Sequence, residues 1–158
     1  MASCLYDSPV GCLLVVSNEE AIVELSFCDD DAKNKEEACR RLKKDVVLQK
    51  CLTELDSYFA GKLRNFTVPI RLLGTDFRMR CWEALRAIPY GETASYSQLA
   101  ESIGNPKACR AVGGANHHNP IAIIVPCHRV IGADGSLTGF GGGLDKKRFL
   151  LELERTHK

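Results

Sequence analysis

Between residues 3 and 28 the apolar positions come in short runs separated by turn-forming residues. Cys4 to Tyr6 and Cys12 to Val16 flank Ser8-Pro9-Val10-Gly11, and Asn18-Glu19-Glu20 precedes a third run, Ala21 to Phe27. Short β-type runs punctuated this way predict a small antiparallel meander. After the acidic Asp29-Asp30-Asp31 the period changes. Ala38, Leu42, Val46, Leu48, Leu52, Leu55 and Phe59 recur near helical spacing, which predicts one long helix over 34–59 or two broken near Asp45. Gly61 ends it, Phe66 to Ile70 reads as a short extended piece, and a linker over 72–75 separates a first lobe, residues 1–70, from a second, residues 71–158.

The second lobe is helical. Phe77, Cys81, Trp82, Leu85 and Ile88 form an apolar stripe closed by Pro89, predicting a helix over 75–87. Ser95-Tyr96-Ser97-Gln98 has the Ser-x-x-Gln form of a capping box, which starts a short helix that Gly104 ends. Asn105 then serves as an N-cap with Pro106 at the first helical position, predicting a helix over 106–117 and, with its predecessor, a helix-turn-helix. Ala108, Ala111, Gly113, Gly114 and Ala115 leave one side of it nearly bare, with Arg110 projecting. Two interior glycines cost about 1 kcal/mol each relative to alanine, so this backbone must approach something closely. Another helix or the wall of a DNA groove would each explain it, and the capped pair favours DNA.

Composition adds limits. The chain has 158 residues, 45% hydrophobic and 26% charged, as in an ordinary soluble globular protein. The N-terminal residues lack a basic stretch and a long apolar run, so neither a secretion signal nor a membrane span is expected. Eight cysteines without paired close spacing fit a reduced cytoplasmic setting, or a nuclear one in a eukaryote, and signal no structural zinc. The net charge of +1 conceals an asymmetry: residues 1–68 carry nine basic against twelve acidic side chains, residues 69–158 twelve against eight. The basic half is the one with the helix pair.

The candidate chemistry follows that pair. Ile121 to Val125 reads as a short β-type run leading into Pro126-Cys127-His128-Arg129-Val130-Ile131 and a Gly132-Ala133-Asp134-Gly135 turn. In extended backbone, neighbouring side chains point to opposite faces, so Cys127 and His128 do not pair directly and a bridging water becomes the natural relay. Gly139-Phe140-Gly141-Gly142-Gly143 can bring backbone amides close to a ligand, and a helix follows from Leu144 to about Arg155. Glu154 falls on the apolar stripe of that helix, where a carboxylate needs a partner such as an imidazole.

With Gly104-Asn105-Pro106-Lys107-Ala108, Arg110-Ala111-Val112-Gly113-Gly114-Ala115 and Pro126-Cys127-His128-Arg129-Val130, the segment Tyr96 to Glu154 resembles the catalytic domain of the O6-alkylguanine-DNA alkyltransferases. Residues 1–70 resemble that family's ribonuclease-H-like N-terminal domain more loosely, through Asp7-Ser8-Pro9-Val10-Gly11 and the strand-helix order. The resemblance implies an α/β (α+β) protein of two lobes, the second winged-helix-like with a helix-turn-helix. It implies direct reversal of DNA damage: an alkyl group leaves O6-alkylguanine, and also O4-alkylthymine, for Cys127, once and irreversibly. His128 would act through water as base, Glu154 would orient it, and Asn119 would be the hinge between the third helix and the active-site run. Tyr96, Arg110, Ala111, Gly113, Gly114 and Ala115 would meet the minor groove, with Arg110 filling the stack vacated by the flipped base. Tyr96, Val130, Phe140, Gly141 and Gly142 would line the base pocket.

No cofactor is implied. Asn18 and Val23 stand where some relatives carry zinc ligands, and a metal-free monomer on double-stranded DNA is expected, its cooperativity left open. Phe140 stands where relatives often have tyrosine, and Gly141 and Gly142 replace a more polar lip. Two rivals belong to other classes. A non-catalytic lesion sensor would lack the acceptor cysteine, and a thiol hydrolase would leave the helix pair and Arg110 unexplained.

Overall fold

The computed structural model describes residues 2–28, 45–137, 139, 140 and 142–158. The chain is a mixed α/β protein that divides into two compact units, residues 1–72 and 73–158.

In the first unit, β1 (Ala2–Ser8), β2 (Gly11–Ser17) and β3 (Ile22–Phe27) form the expected antiparallel meander in the order β1-β2-β3. The pairing sets Cys4 opposite Val15 and Tyr6 opposite Leu13, and Val15 in turn opposite Leu25. This face is covered by α1 (Val46–Phe59), whose Cys51, Leu52, Leu55 and Tyr58 are fully buried, and Tyr6 Oη donates to Asp56 of that helix at 2.7 Å. The helix starts where Asp45 was expected to break the pattern: its carboxylate accepts from Leu48 N at 2.9 Å. The earlier part of the predicted helix, over 34–44, lies outside the described residues.

Phe66 to Ile70 is not a regular strand; only an isolated parallel bridge joins Ile70 to Ile22. The amides of Thr67 and Val68 are satisfied instead by the carboxylate of buried Glu54, at 3.0 and 2.8 Å. A side chain thus supplies what a neighbouring strand would have supplied.

The second unit holds α2 (Asp76–Arg86), α3 (Tyr96–Ser102), α4 (Cys109–His117) and α5 (Leu144–Thr156). Ser95 caps α3 in a complete capping box with Gln98. Gly104, at φ 79°, ends it, with Asn105 N bonded to Ala100 O and Gly104 N to Glu101 O, the paired bonds of a Schellman motif.

One boundary differs. The next helix begins at Cys109, not Pro106, because Ala108 N closes a turn onto Asn105 O at 3.0 Å. Proline's fixed φ suits the second position of such a turn as well as it suits a helix start. The three helices share a core, with Trp82 buried between them and its indole N–H donating to Ala115 O at 2.9 Å. Short strands β4 (Ala94–Ser95) and β5 (Val130–Ile131) pair in parallel and bring the chain after Cys127 back beside the start of α3. Among the described residues, no helix is long and apolar enough to cross a membrane, and no group of three metal-ligating side chains comes together.

Candidate active site

The segment between α4 and β5 is apolar because it is buried, not because it pairs as a strand. Ile121, Ile123 and Val125 have at most 1% exposure, yet the backbone turns continuously. Ile124 N bonds to Ala122 O at 2.8 Å, closing a three-residue turn around Ile123, whose φ is 71°. A β-branched residue in the left-handed region costs about 1–2 kcal/mol, which the packing of its side chain must offset. A second tight turn follows at Pro126 (φ −80°, ψ 66°), where Cys127 N bonds to Val125 O at 2.8 Å.

Cys127 to Arg129 then form a single 3₁₀ turn, so the extended backbone expected at Cys127 is replaced by a helical one. Successive residues of such a turn point about 120° apart, and Cys127 and His128 still face different ways.

Asn119 braces this loop. Its Nδ2 donates to Val125 O at 2.8 Å, its Oδ1 accepts from Ile121 N at 3.0 Å, and its side chain also hydrogen-bonds the Cys127 thiol. Asn116, on the inward face of α4, donates to Cys127 O at 3.4 Å. Two side chains from the end of α4 thus hold the turn that presents the thiol.

His128 is completely buried, with Nε2 2.6 Å from Glu154 Oε2. Glu154 reaches it from α5, where Lys147, Leu150 and Glu154 share a buried stripe. Arg129 completes the cluster: Nε donates to Glu154 Oε1 at 2.8 Å, Nη2 to Oε2 at 3.1 Å, and Nη1 to Ile88 O at 2.7 Å. Nε2 therefore carries the proton that Glu154 accepts, leaving Nδ1 as the basic nitrogen, and Nδ1 is buried without a hydrogen-bond partner among the described residues.

The electrostatics follow from burial and these partners. Burial pushes the Cys127 thiol above its ordinary pKa, against the opposing pull of the Asn119 hydrogen bond and the Lys147 ammonium. Burial lowers His128, a shift that Glu154 resists and Arg129 and Lys147 reinforce. Burial would raise Glu154, but the hydrogen bonds and charges of His128 and Arg129 overcome it and hold the carboxyl well below its usual range. Lys147, fully buried, is lowered by burial and drawn back by Cys127. These directions favour a neutral thiol, a neutral imidazole and an ionised carboxylate, a set chemically able to pass the thiol proton to the imidazole.

Arg129, Lys147 and Asn116 were not singled out by sequence. Lys147 lies in Lys146-Lys147-Arg148, which reads as a solvated charge run. Its one signal is the spacing that aligns it with Leu150 and Glu154.

The outer face of α4 is as bare as its composition suggested. Val112, Ala115 and Asn116 are buried, while Arg110 and Ala111 are exposed. A Cβ at Gly114 would meet nothing within 4 Å, and one at Gly113 would only reach ordinary contact with the Tyr96 ring at 3.9 Å. Close packing within the unit therefore does not explain these glycines. Ala115 is a correction to the groove-facing set: at 2% exposure it packs inward near Trp82, on the stripe begun by Val112. Tyr96, Phe140 and Gly142 are half-buried, Val130 is wholly buried beneath, and Gly141 lies outside the described residues.

Family models match almost the whole chain: residues 76–156 the DNA binding domain of 6-O-methylguanine DNA methyltransferase, and residues 1–72 its ribonuclease-like domain. A methylated-DNA–protein-cysteine methyltransferase of Methanosarcina acetivorans is 47% identical over 154 residues, covering 98% of each chain. One from Mycobacterium tuberculosis is 49% identical over 151 residues, covering 95% of this chain and 90% of its own. Among solved structures, Mycobacterium tuberculosis OGT in complex with DNA superposes with a TM-score of 0.84 at 44% identity, over 98% of this chain and 93% of that one.

Proposed function

Because this chain belongs to the 6-O-methylguanine DNA methyltransferase family, we propose that it repairs DNA directly, moving the methyl group of O6-methylguanine onto its own Cys127. The observation that carries the assignment of residues is the buried His128–Glu154 pair at 2.6 Å, one residue beyond a buried thiol that Asn119 hydrogen-bonds. The thiol proton passes through a water to His128 Nδ1, and Glu154 stabilises the resulting imidazolium. The sulfur then attacks the methyl carbon, forming an S–C bond as the C–O6 bond breaks. Its electron pair leaves with guanine, which takes up a proton. A thioether offers water no carbonyl to attack, so each molecule acts once; the same attack serves larger O6-alkyl groups and O4-alkylthymine.

The reacting carbon lies inside the duplex, and bringing it to a buried thiol requires extruding the base. The exposed face of α4 suits the minor groove: Arg110 stacks in the vacated space and Gly113 and Gly114 let the backbone approach, while Tyr96 meets the rotated nucleotide. The half-buried Phe140 and Gly142 form the wall of the base pocket. Residues 73–158 thus carry both DNA binding and transfer, and residues 1–72 form the ribonuclease-like domain. The protein works as a metal-free monomer in the cytoplasm, or in the nucleus of a eukaryote; eight cysteines without paired close spacing support a reducing compartment.

Incubating the whole protein with a duplex containing O6-methylguanine tests this. One methyl group is expected per molecule, on the Cys127 peptide by mass spectrometry, with no further lesion consumed. Loss of lesion with Cys127 unmodified would overturn the mechanism.

A further inference from the structure

Among the described residues, His128 gives Glu154 one side-chain hydrogen bond, and the Gly91 N–H also reaches its Oε1 at 3.4 Å. Arg129 supplies two more as a fork, at 2.8 and 3.1 Å, from a buried side chain, the residue's exposure being 7%. The guanidinium is pinned on its other sides by Ile88 O at 2.7 Å and by the Tyr90 ring, whose centroid lies 5.7 Å away. Such placement is costly unless every donor is used and the charge is balanced, and a hydrophobic residue would stabilise a merely structural site as well.

We propose that Arg129 is a positioning residue of the transfer reaction: it locks the Glu154 carboxylate and shares its charge, so that His128 rests as a neutral base with its proton on Nε2. A carboxylate held by His128 alone would favour a permanent imidazolium, which cannot accept the thiol proton. A carboxylate already neutralised in part by Arg129 orients the ring without charging it, and still stabilises the imidazolium formed during reaction. The charged groups acting on His128 are Glu154 and Lys147 from α5, with Arg129 from its own turn. The two cations act in the same sense as burial and against Glu154. This rests on the reading of His128 as the base.

Histidine ¹⁵N spectra read the tautomer and charge of His128 directly, without any lesion, and so separate this idea from the assignment of the reaction. In the unaltered protein His128 should be neutral with its proton on Nε2 at pH 7 and should charge only well below the ordinary imidazole value of about 6.5. Arg129→Met should raise the pH at which His128 charges by about one unit and move the acid limb of the transfer rate up by the same amount. Arg129→Lys, which keeps the charge and loses the fork, should restore the limb with transfer still several-fold slow. Arg129→Met with unchanged His128 titration and pH profile, and only a lower melting temperature, would overturn the proposal. Should Arg129→Met fail to fold, the unaltered protein decides: His128 charging at or above pH 6.5 overturns the proposal, and charging well below it supports it. Failure to methylate Cys127 would instead refute the function and leave the spectra to stand alone.

Discussion

Replacing Glu154 with glutamine keeps its volume and one acceptor oxygen but removes the charge on which the His128 relay depends. Glu154 is 1% exposed and accepts from His128 Nε2 at 2.6 Å and from the Arg129 fork. Breaking a buried ion pair from one side costs about 3–5 kcal/mol, and the lower end applies because the amide oxygen still accepts from Arg129. A domain with about 5–15 kcal/mol of stability survives that loss. For the chemistry, a carboxylate and an imidazolium with charge centres about 4 Å apart attract by about 4 kcal/mol at an effective dielectric constant near 20. Arg129 takes part of that carboxylate's field, so about 2–4 kcal/mol is forfeited when the proton reaches His128. The single-turnover rate should fall roughly 30- to 1,000-fold. Quenched reactions with excess protein over an O6-methylguanine duplex measure it, with a melting curve on the same sample. A folded Glu154→Gln protein reacting within threefold of the parent rate would refute the assigned role.

Gly114→Ala should raise stability by up to about 1 kcal/mol, since the new Cβ meets nothing, while weakening binding to undamaged duplex. Thermal melting and a fluorescence-anisotropy titration check the pair, and unchanged affinity would remove α4 from the DNA interface. Stability should also decline with acid in two stages, the first set by the burial of His128 and the second by the His128 and Arg129 partners of Glu154. The lowered His128 means the unfolded chain binds its proton first, so this contribution is complete above about pH 6.5 and erodes as pH falls toward the folded value. The lowered Glu154 acts later: its contribution is present above about pH 4.3 and is lost as pH falls through its folded value. Urea unfolding between pH 5 and 8 should show the first stage, flattened in His128→Asn; equal slopes in the two proteins would contradict a neutral buried imidazole.

The features legible in the chain were those set by near neighbours. The capping box at Ser95 and the stop at Gly104 are contacts spanning three to five residues, so their residue types announce them, while at Asp45 the pattern offered a break and the structure showed a cap. The Pro126-Cys127-His128-Arg129-Val130 run pointed to a candidate acceptor through its resemblance to a known family, not through local contacts. Where two local structures want the same residues, pattern could not choose: a buried β-branched run suits a strand or the coiled turn found at Ile121 to Val125, and proline suits a turn or a helix start at Pro106.

The electrostatic design was decided only by the tertiary structure. His128 and Arg129 are neighbours in sequence, but the carboxylate they share lies 25 or more residues away, and Lys147 looks solvated until α5 turns it inward. Local sequence determines which backbone shapes are cheap. Whether a charged group is buried, and against what, depends on chain segments that meet only on folding, and that meeting is what the role proposed for Cys127 and His128 rests on.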